Sequence, residues 1–417
     1  MKNLFIIKSM FSFLVILLLL PGMLSAIEFN LAANINAGYG NSTSDEDKLD
    51  YKADIMPRFF SLLGRNSEFI LSAGFSYDPE LDFEYYVIPE LLHTEFTFRF
   101  GKSGFRFGRF YYSDPLSFIF EGLFDGAQFF NISKRGSFNI GAWYTGYLYK
   151  NRTIIEMTPI ELINNSKAVD IDNLFDTYFA PHRLIGSIGW EHPSIGEFMH
   201  LNTALIGQFD FTGSAEQFNT QYLILKARFP INNFIIEIGG SLENIMQNTS
   251  LLAAIEDNPF NPAFAGEIGF LWLFPGVYNS RLSLTGKFAG GKIEDICDVF
   301  VPITSKDYGY ILKHKMSGLS VLMLNYSNRL GRTLGMSLTG SYFVRNDLGT
   351  FYGYPLIAGS GSEGFFLGPE FTARFIWSPV SDLQFNLGGG AFIPSLGDAE
   401  PNQEIKWRVD LTTTLAF

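Results

Sequence analysis

The chain has little of several features that would mark a disulfide-rich protein, a charged soluble domain or a helical membrane protein. Its single cysteine, Cys297, excludes an intrachain disulfide framework. Charged residues make up 17% of the chain, against about a quarter in a typical soluble domain. After residue 26, no stretch approaches the roughly 20 apolar residues that a spanning helix needs. The absence of a regular internal repeat argues against the soluble alternative, a large secreted β-sandwich or β-helix.

Aromatic and apolar residues are abundant instead. Aromatics make up 16% of the chain, which contains 44 Phe and 41 Gly. This much apolar surface must either be buried in a large core or face lipid. Without a spanning helix, only a closed barrel crosses a bilayer with its backbone polar groups paired. The net charge of −12 argues against nucleic acid as a partner.

The first residues have the pattern of a secretory signal peptide. Early lysines precede an apolar run over 10–20, and small residues over 24–26 suit a cleavage site. We therefore predict two segments, a signal peptide over 1–26 and an outer-membrane β-barrel over 27–417. The alternative, an uncleaved N-terminal anchor, is disfavoured because the apolar run is short for a stable span.

Alternating segments predict an all-β fold, a transmembrane antiparallel up-and-down barrel of about eighteen strands. In the last segment, 404–417, Trp407 and Val409 alternate with Arg408 and Asp410, so one face is apolar and the other charged. Short turns follow the even-numbered segments and longer loops follow the odd ones, as in outer-membrane barrels. The strand pattern is weak around 300–317, which leaves sixteen or fourteen strands as alternatives.

One segment breaks the alternation. Residues 105–107 alternate cleanly, and Arg109 then falls out of phase, which predicts a β-bulge at Gly108. Gly388, Gly389 and Gly390 lie inside another predicted strand, where small residues would ease curvature.

The charged phase of the strands is predicted to face the lumen. An Arg or Lys facing lipid at the bilayer midplane costs about 2–4 kcal/mol, and a barrel of sixteen to eighteen strands leaves an aqueous channel. The predicted pore-lining residues are Arg58, Glu95, Arg99, Arg106, Lys226, Arg228, Glu237, Glu267, Lys287, Arg329, Arg345, Glu370, Arg374, Lys406, Arg408 and Asp410. Asp54, Glu191, Asp210 and Glu243 share this phase. Basic residues slightly outnumber acidic ones in this phase, which favours passage of anions through the pore. The alternative to a selective lining is a set of structural ion pairs that stabilise the barrel wall.

Two connections at the end of the barrel that carries the longer loops are candidates for narrowing the pore. The segment from Ser113 to Gly126 is unusually apolar, and an apolar loop is costly in water unless it packs inward or on another loop. The segment 150–182 is longer than an ordinary connection needs. We predict that they fold inward, with an exterior lid as the alternative. Four tryptophans of the apolar phase, Trp190, Trp272, Trp377 and Trp407, lie near strand ends and predict interfacial girdles, with core aromatics as the alternative.

The sequence contains no recognisable arrangement of catalytic or metal-binding residues. The histidines, His93, His182, His192, His200 and His314, have no partner spacing that singles one out, and no Cys or His cluster has metal spacing. We therefore predict no catalytic residue, no metal and no cofactor.

Together these features resemble bacterial outer-membrane porins, and within that class the chain is somewhat similar to alginate-export and substrate-specific porins of eighteen strands. Gly108-Arg109 and Phe124-Asp125-Gly126 are similar to the Gly-Arg and Asp-Gly segments of such families. The resemblance implies a place in the cell outer membrane, contact with its lipid, and recognition of the last strand by the barrel assembly machinery. The residues that match the assembly signal are Leu411, Thr413, Leu415 and Phe417. The resemblance leaves assembly into a homo-trimer open.

The resulting functional hypothesis is a channel for passive or substrate-selective diffusion of small polar, anion-leaning solutes. One alternative is a transporter for hydrophobic substrates of the fatty-acid type, which predicts an apolar lumen pocket and an N-terminal hatch. Another is a surface adhesin or scaffold barrel with an occluded lumen and its function in 150–182 and 346–363.

Overall fold

The computed structural model describes residues 27–42, 46–79, 87–212, 218–247, 261–293, 297–348, 364–399 and 402–417. They form an antiparallel sheet of eighteen strands that closes on itself, because β1 (Ile27–Gly40) pairs with both β2 (Lys48–Leu62) and the last strand, β20 (Lys406–Ala416). The predicted all-β barrel of eighteen strands is confirmed, and sixteen and fourteen strands are excluded. The predicted signal peptide and most of the loop 346–363 lie outside the described residues.

The remaining elements follow in chain order. The other barrel strands are β3 (Ser67–Tyr77), β4 (Val87–Phe100), β5 (Ser103–Ser113), β6 (Glu121–Ser133), β7 (Gly136–Tyr144), β8 (Arg183–Ile195), β9 (Met199–Asp210), β10 (Phe218–Ile231), β11 (Phe234–Gln247), β12 (Pro262–Phe274), β13 (Ser280–Ala289), β16 (Leu319–Arg329), β17 (Leu334–Arg345), β18 (Phe366–Val380) and β19 (Leu383–Phe392). A separate small ribbon is formed by β14 (Asp307–Tyr308) and β15 (His314–Lys315). Short helices span Pro159–Asn165 and Leu174–Thr177, and 3-10 turns span Ile171–Asn173 and Pro394–Leu396. Among the described residues, no helix is long and apolar enough to cross a membrane.

The outer wall is apolar because alternate residues of each strand face outward. On β5, Phe105 and Phe107 are 38% and 44% exposed, whereas Gly104 and Arg106, at the alternate positions, face the lumen. Trp190, Trp272 and Trp377 are exposed near the end of the barrel that carries the short turns, and Trp407 packs against Tyr39 near the other end. These positions suit interfacial girdles. The remaining tryptophan, Trp143, is fully buried inside the barrel.

The predicted bulge at Gly108 is wrong. Glu95 pairs with Gly108 and Thr94 with Arg109 without a register shift, and the pairing of β5 with β6 is also continuous. Gly108 instead has a φ of 107°, and a Cβ there would collide with the carbonyl oxygen of Thr94. A glycine is required at this position because its backbone conformation and the close approach of β4 both exclude a side chain.

Candidate functional site

The apolar loop between β5 and β6, the first loop (114–120), is folded around one carboxylate. Asp114 is 2% exposed and accepts backbone N–H bonds from Leu116, Ser117, Ile119 and Phe120 at 2.7–3.1 Å. Burial raises the pKa of Asp114, and these four bonds oppose that shift. The carboxylate therefore fixes a compact turn that projects its apolar side chains as a unit.

The first loop crosses the lumen. Leu116 and Phe118 are buried, and a Cβ at Gly239 would collide with Leu116. Gly239 lies on β11, far around the barrel from the strands that the loop connects. The loop therefore lies inside the barrel and contacts the facing wall, as the inward-folding hypothesis requires.

A second apolar segment inside the barrel was not predicted. It belongs to the connection between β13 and β16, the third loop (290–318, described except for 294–296), which the sequence marked only as a region of weak strand pattern. Phe300 is fully buried against Phe118 of the first loop and Tyr222 of β10, with ring centroids 6.3 and 6.1 Å away. The wall holds this loop through Val301, whose carbonyl accepts from Tyr222 at 2.5 Å and whose N–H donates to Glu243 at 2.9 Å.

The third loop also reaches the wall near the closure of the barrel. Its ribbon, β14 with β15, carries a tip at Tyr310 to Leu312, whose three backbone N–H groups donate to the Glu370 carboxylate at 2.6–2.9 Å. The Tyr310 hydroxyl donates to Asp410, and its ring lies over Gly388 and Gly390. At both glycines an added Cβ would meet Tyr310, at 3.3 and 2.9 Å, so their small size makes room for this ring.

The connection between β7 and β8, the second loop (145–182), joins the other two. Ile155 forms a β-bridge with Thr304, and Glu156 donates its N–H to Ile303 at 2.8 Å and pairs with Lys315 at 3.1 Å. Arg183 is fully buried and donates to the Glu156 carbonyl and the Glu161 carboxylate, each at 2.5 Å.

Burial raises the pKa of Glu156 and that of Glu161, while Lys315 and Arg183 oppose these shifts. With the contacts of Ile155 and Glu156, the second loop completes a constriction in which three loops share one apolar core inside the barrel.

The acids predicted to line the pore have specific partners. Glu370 binds the tip of the third loop, as described above. The other four are Glu95 with Arg106 and His93, Glu237 with Lys226 and Arg228, Glu267 with Lys226 and Lys287, and Asp410 with Arg408 and Tyr310. Their negative charge is therefore matched locally by a base or by backbone donors.

The predicted bases fall into two groups. Several have a partner in the structure. Lys287 lies over the Phe118 ring, with its Nζ 4.7 Å from the ring centroid, and Arg345 donates to the Gly364 carbonyl. Arg99 forms an ion pair with Glu68, and Lys406 also has an interaction partner. Arg329 lies at the turn end of β16, with its N–H on the Tyr278 carbonyl. Arg58 and Arg374, in contrast, form no ion pair with any residue in the described ranges.

A polar pocket lies between the tip of the third loop and the barrel wall. It has a volume of about 250 Å³, and its lining residues are Asn36, Lys313, Arg374, Asn386, Gly388, Arg408, Asp410 and Thr412. We call it the lumen pocket. Arg374 and Arg408 belong to the predicted pore lining, whereas Lys313 does not, because it lies in the segment without strand periodicity.

The two short segments that carried the family likeness contact one another. Arg109 and Asp125 form an ion pair at 2.6 Å, and Arg109 also donates to the carbonyls of Tyr147 and Leu91. Both charged residues fall in the outward phase of their strands, the phase of Tyr111 on β5 and Leu123 on β6, yet Arg109 is only 4% exposed. This pair therefore ties the start of the second loop to the strand wall.

Comparison with known proteins places the fold. No family model matches the chain, and no curated protein matches its sequence. Among solved structures, OccK2 (OpdF) of Pseudomonas aeruginosa, solved in complex with glucuronate, matches with a TM-score of 0.61 at 12% identity over 95% of this chain and 99% of that one. OccK8 (OprE) of the same organism matches with a TM-score of 0.59 at 10% identity over 95% of this chain and 99% of that one. The outer membrane protein OpdK, also of this organism, matches with a TM-score of 0.58 at 11% identity over 95% of this chain and 100% of that one. At this identity the likeness establishes the fold, and it confirms the predicted resemblance to eighteen-stranded porins.

Proposed function

We propose that the protein is an outer-membrane channel through which small polar solutes, preferentially anions, diffuse past the three-loop constriction. The observation that carries this proposal is which charged residues in the lumen are paired and which are not. The acids bind loops or neighbouring bases, whereas Arg58, Arg374 and Lys313 have no ion-pair partner in the described ranges. Cations that remain unpaired beside water favour anions in a pore.

The structural neighbours support the same direction. OccK2 was solved with glucuronate and OpdK with vanillate, both of which are organic acids. The apolar outer wall supports embedding in the outer membrane. The proposal involves no reaction, and no metal or cofactor is part of it.

Single-channel recording in a planar bilayer tests the proposal. The refolded chain should give steady current steps, and a KCl gradient should give an anion-leaning reversal potential. Arg374→Gln combined with Lys313→Gln should move the reversal potential toward zero, because two unpaired cations leave the constriction. Arg135→Gln, on an exposed turn, is the control and should change nothing. A cation-leaning wild-type channel would contradict the proposal.

The second candidate is an occluded barrel, and one observation favours it. Leu116, Phe118, Phe300 and Ile303 are almost completely buried where a water-filled passage is expected. A folded barrel that never conducts would support this candidate and direct attention to the loops.

A further inference from the structure

The lumen pocket has one wall that is built by a loop in an uncommon backbone conformation. Lys313 follows the loop tip that Glu370 binds, and it precedes β15, which pairs with β14. Its φ is 48°, a region that residues other than glycine rarely occupy. Such conformations persist where the surroundings hold them, and they cluster at functional sites. The ribbon and Glu370 thus fix the position of one cation at the pocket.

The charges around the pocket do not cancel. Arg408 is matched by two acids, with both of its terminal nitrogens 2.7 Å from Asp50 and its Nε 2.8 Å from Asp410. Arg374 lies on β18 beside this cluster and has no ion pair within the described chain. Lys313 acts electrostatically on Asp307 without forming an ion pair with it. Two positive charges therefore converge on the pocket without a bound acid.

The neutral part of the lining can bind hydroxyl groups. Asn36 donates to the Thr412 hydroxyl oxygen at 2.8 Å. The side-chain oxygen of Asn386 is buried and accepts no hydrogen bond from the protein. A buried acceptor without a donor costs free energy, so a hydroxyl group or a water molecule is favoured there. No aromatic residue is among those that line the pocket, and the ring beside it, Tyr310, packs over Gly388 with its hydroxyl bound to Asp410.

From these features we propose that the lumen pocket binds small organic anions that carry several hydroxyl groups, in preference to aromatic acids. Arg374 and Lys313 bind the anionic group, and Asn386 accepts from a hydroxyl. The volume of about 250 Å³ is below the roughly 300–1,000 Å³ typical of drug-sized ligands, which suits a small solute. This inference rests on the proposed channel function and adds the class of solute.

Current block by two acids of equal charge tests the inference. Gluconate carries several hydroxyls and benzoate an aromatic ring. Gluconate should interrupt the KCl current of the refolded full chain at concentrations at least tenfold lower than benzoate. Asn386→Ala should weaken the block by gluconate about fivefold and leave benzoate unchanged, because one hydrogen bond is lost. Arg374→Gln should weaken both acids, and Asn325→Ala, an amide of β16 outside the pocket, should weaken neither.

The outcomes separate this inference from the proposed function. An anion-leaning channel that both acids block equally would overturn the inference and leave the channel function intact. If the barrel does not conduct, calorimetric titration of the refolded protein with gluconate decides. Binding that Arg374→Gln abolishes would support the site, and no binding would overturn it.

Discussion

At the scale of single residues, the sequence predicted which way charges point but not what they bind. Glu370, Glu243 and Asp410 fall on inward positions because charges avoid lipid. Their partners, Leu312, Val301 and Tyr310, lie in a loop distant in sequence from each of them. The alternation of a strand contains no information about such partners, so it predicts that these acids face the lumen but not that they bind loops.

Glu370 gives a direct test of this role. Glu370→Ala removes the acceptor of three backbone N–H groups and leaves them to find water. Leaving such groups unpaired costs about 1–3 kcal/mol each when they stay buried, so we expect the tip of the third loop to detach from the wall. Hydrogen exchange at 310–312 should accelerate, and single-channel conductance should rise.

Glu68→Ala is the matched control for Glu370, since Glu68 pairs with Arg99 near a short turn, away from the third loop. Exchange at 310–312 that is the same in both variants would show that Glu370 does not anchor the loop.

At the scale of elements, the strands were predictable and the loops were not. The two-residue period of a strand is local, so the boundaries of β5 and β20 could be approximated from alternation alone. The first loop was identified because its apolar composition is anomalous for a connection. The third loop contains a shorter apolar run, from Val299 to Ile303, which is buried. A run of five apolar residues does not by itself distinguish a loop inside a barrel from a short strand, so the burial of this loop is explained by its contacts with the other loops.

The contact between the first loop and β11 can be tested with paired substitutions. Gly239→Val places side-chain atoms where Leu116 lies, so we expect the first loop to move away from the wall and exchange at 116–120 to accelerate. Adding Leu116→Ala should partly restore protection, because it frees the space, although removing a buried leucine costs about 2–5 kcal/mol by itself. The measurement is hydrogen exchange with single-channel conductance alongside.

Gly286→Val serves as the control for Gly239→Val. Gly286 shares its phase with the exposed residues Leu284 and Phe288, and its added side chain would face lipid. If Gly286→Val disturbs the first loop as much as Gly239→Val, the effect arises from strand distortion, and the proposed contact across the lumen is wrong.

At the scale of the whole molecule, counting the strands predicted the architecture because an even number lets the first and the last strand pair antiparallel. The meeting is visible in the backbone bonds that Leu31 and Phe417 exchange, at 3.0 and 2.8 Å. The assembly signal assigned to Leu411, Thr413, Leu415 and Phe417, and assembly into trimers, stay predictions. The pairing of these strands closes the sheet, but it does not explain why residue 417 is aromatic.

Assembly and stability can be separated at Phe417. The Phe417 side chain is 71% exposed, and its contribution to closure comes from the backbone, which Phe417→Ser retains. If the side chain is recognised by the assembly machinery, Phe417→Ser should lower the amount of heat-modifiable barrel in the outer membrane severalfold. It should leave refolding of the purified chain in detergent nearly unchanged. Leu330→Ser, an exposed apolar residue on a short turn, is the control for lost surface hydrophobicity. Equal losses in cells and in detergent would instead assign Phe417 to the stability of the closed barrel.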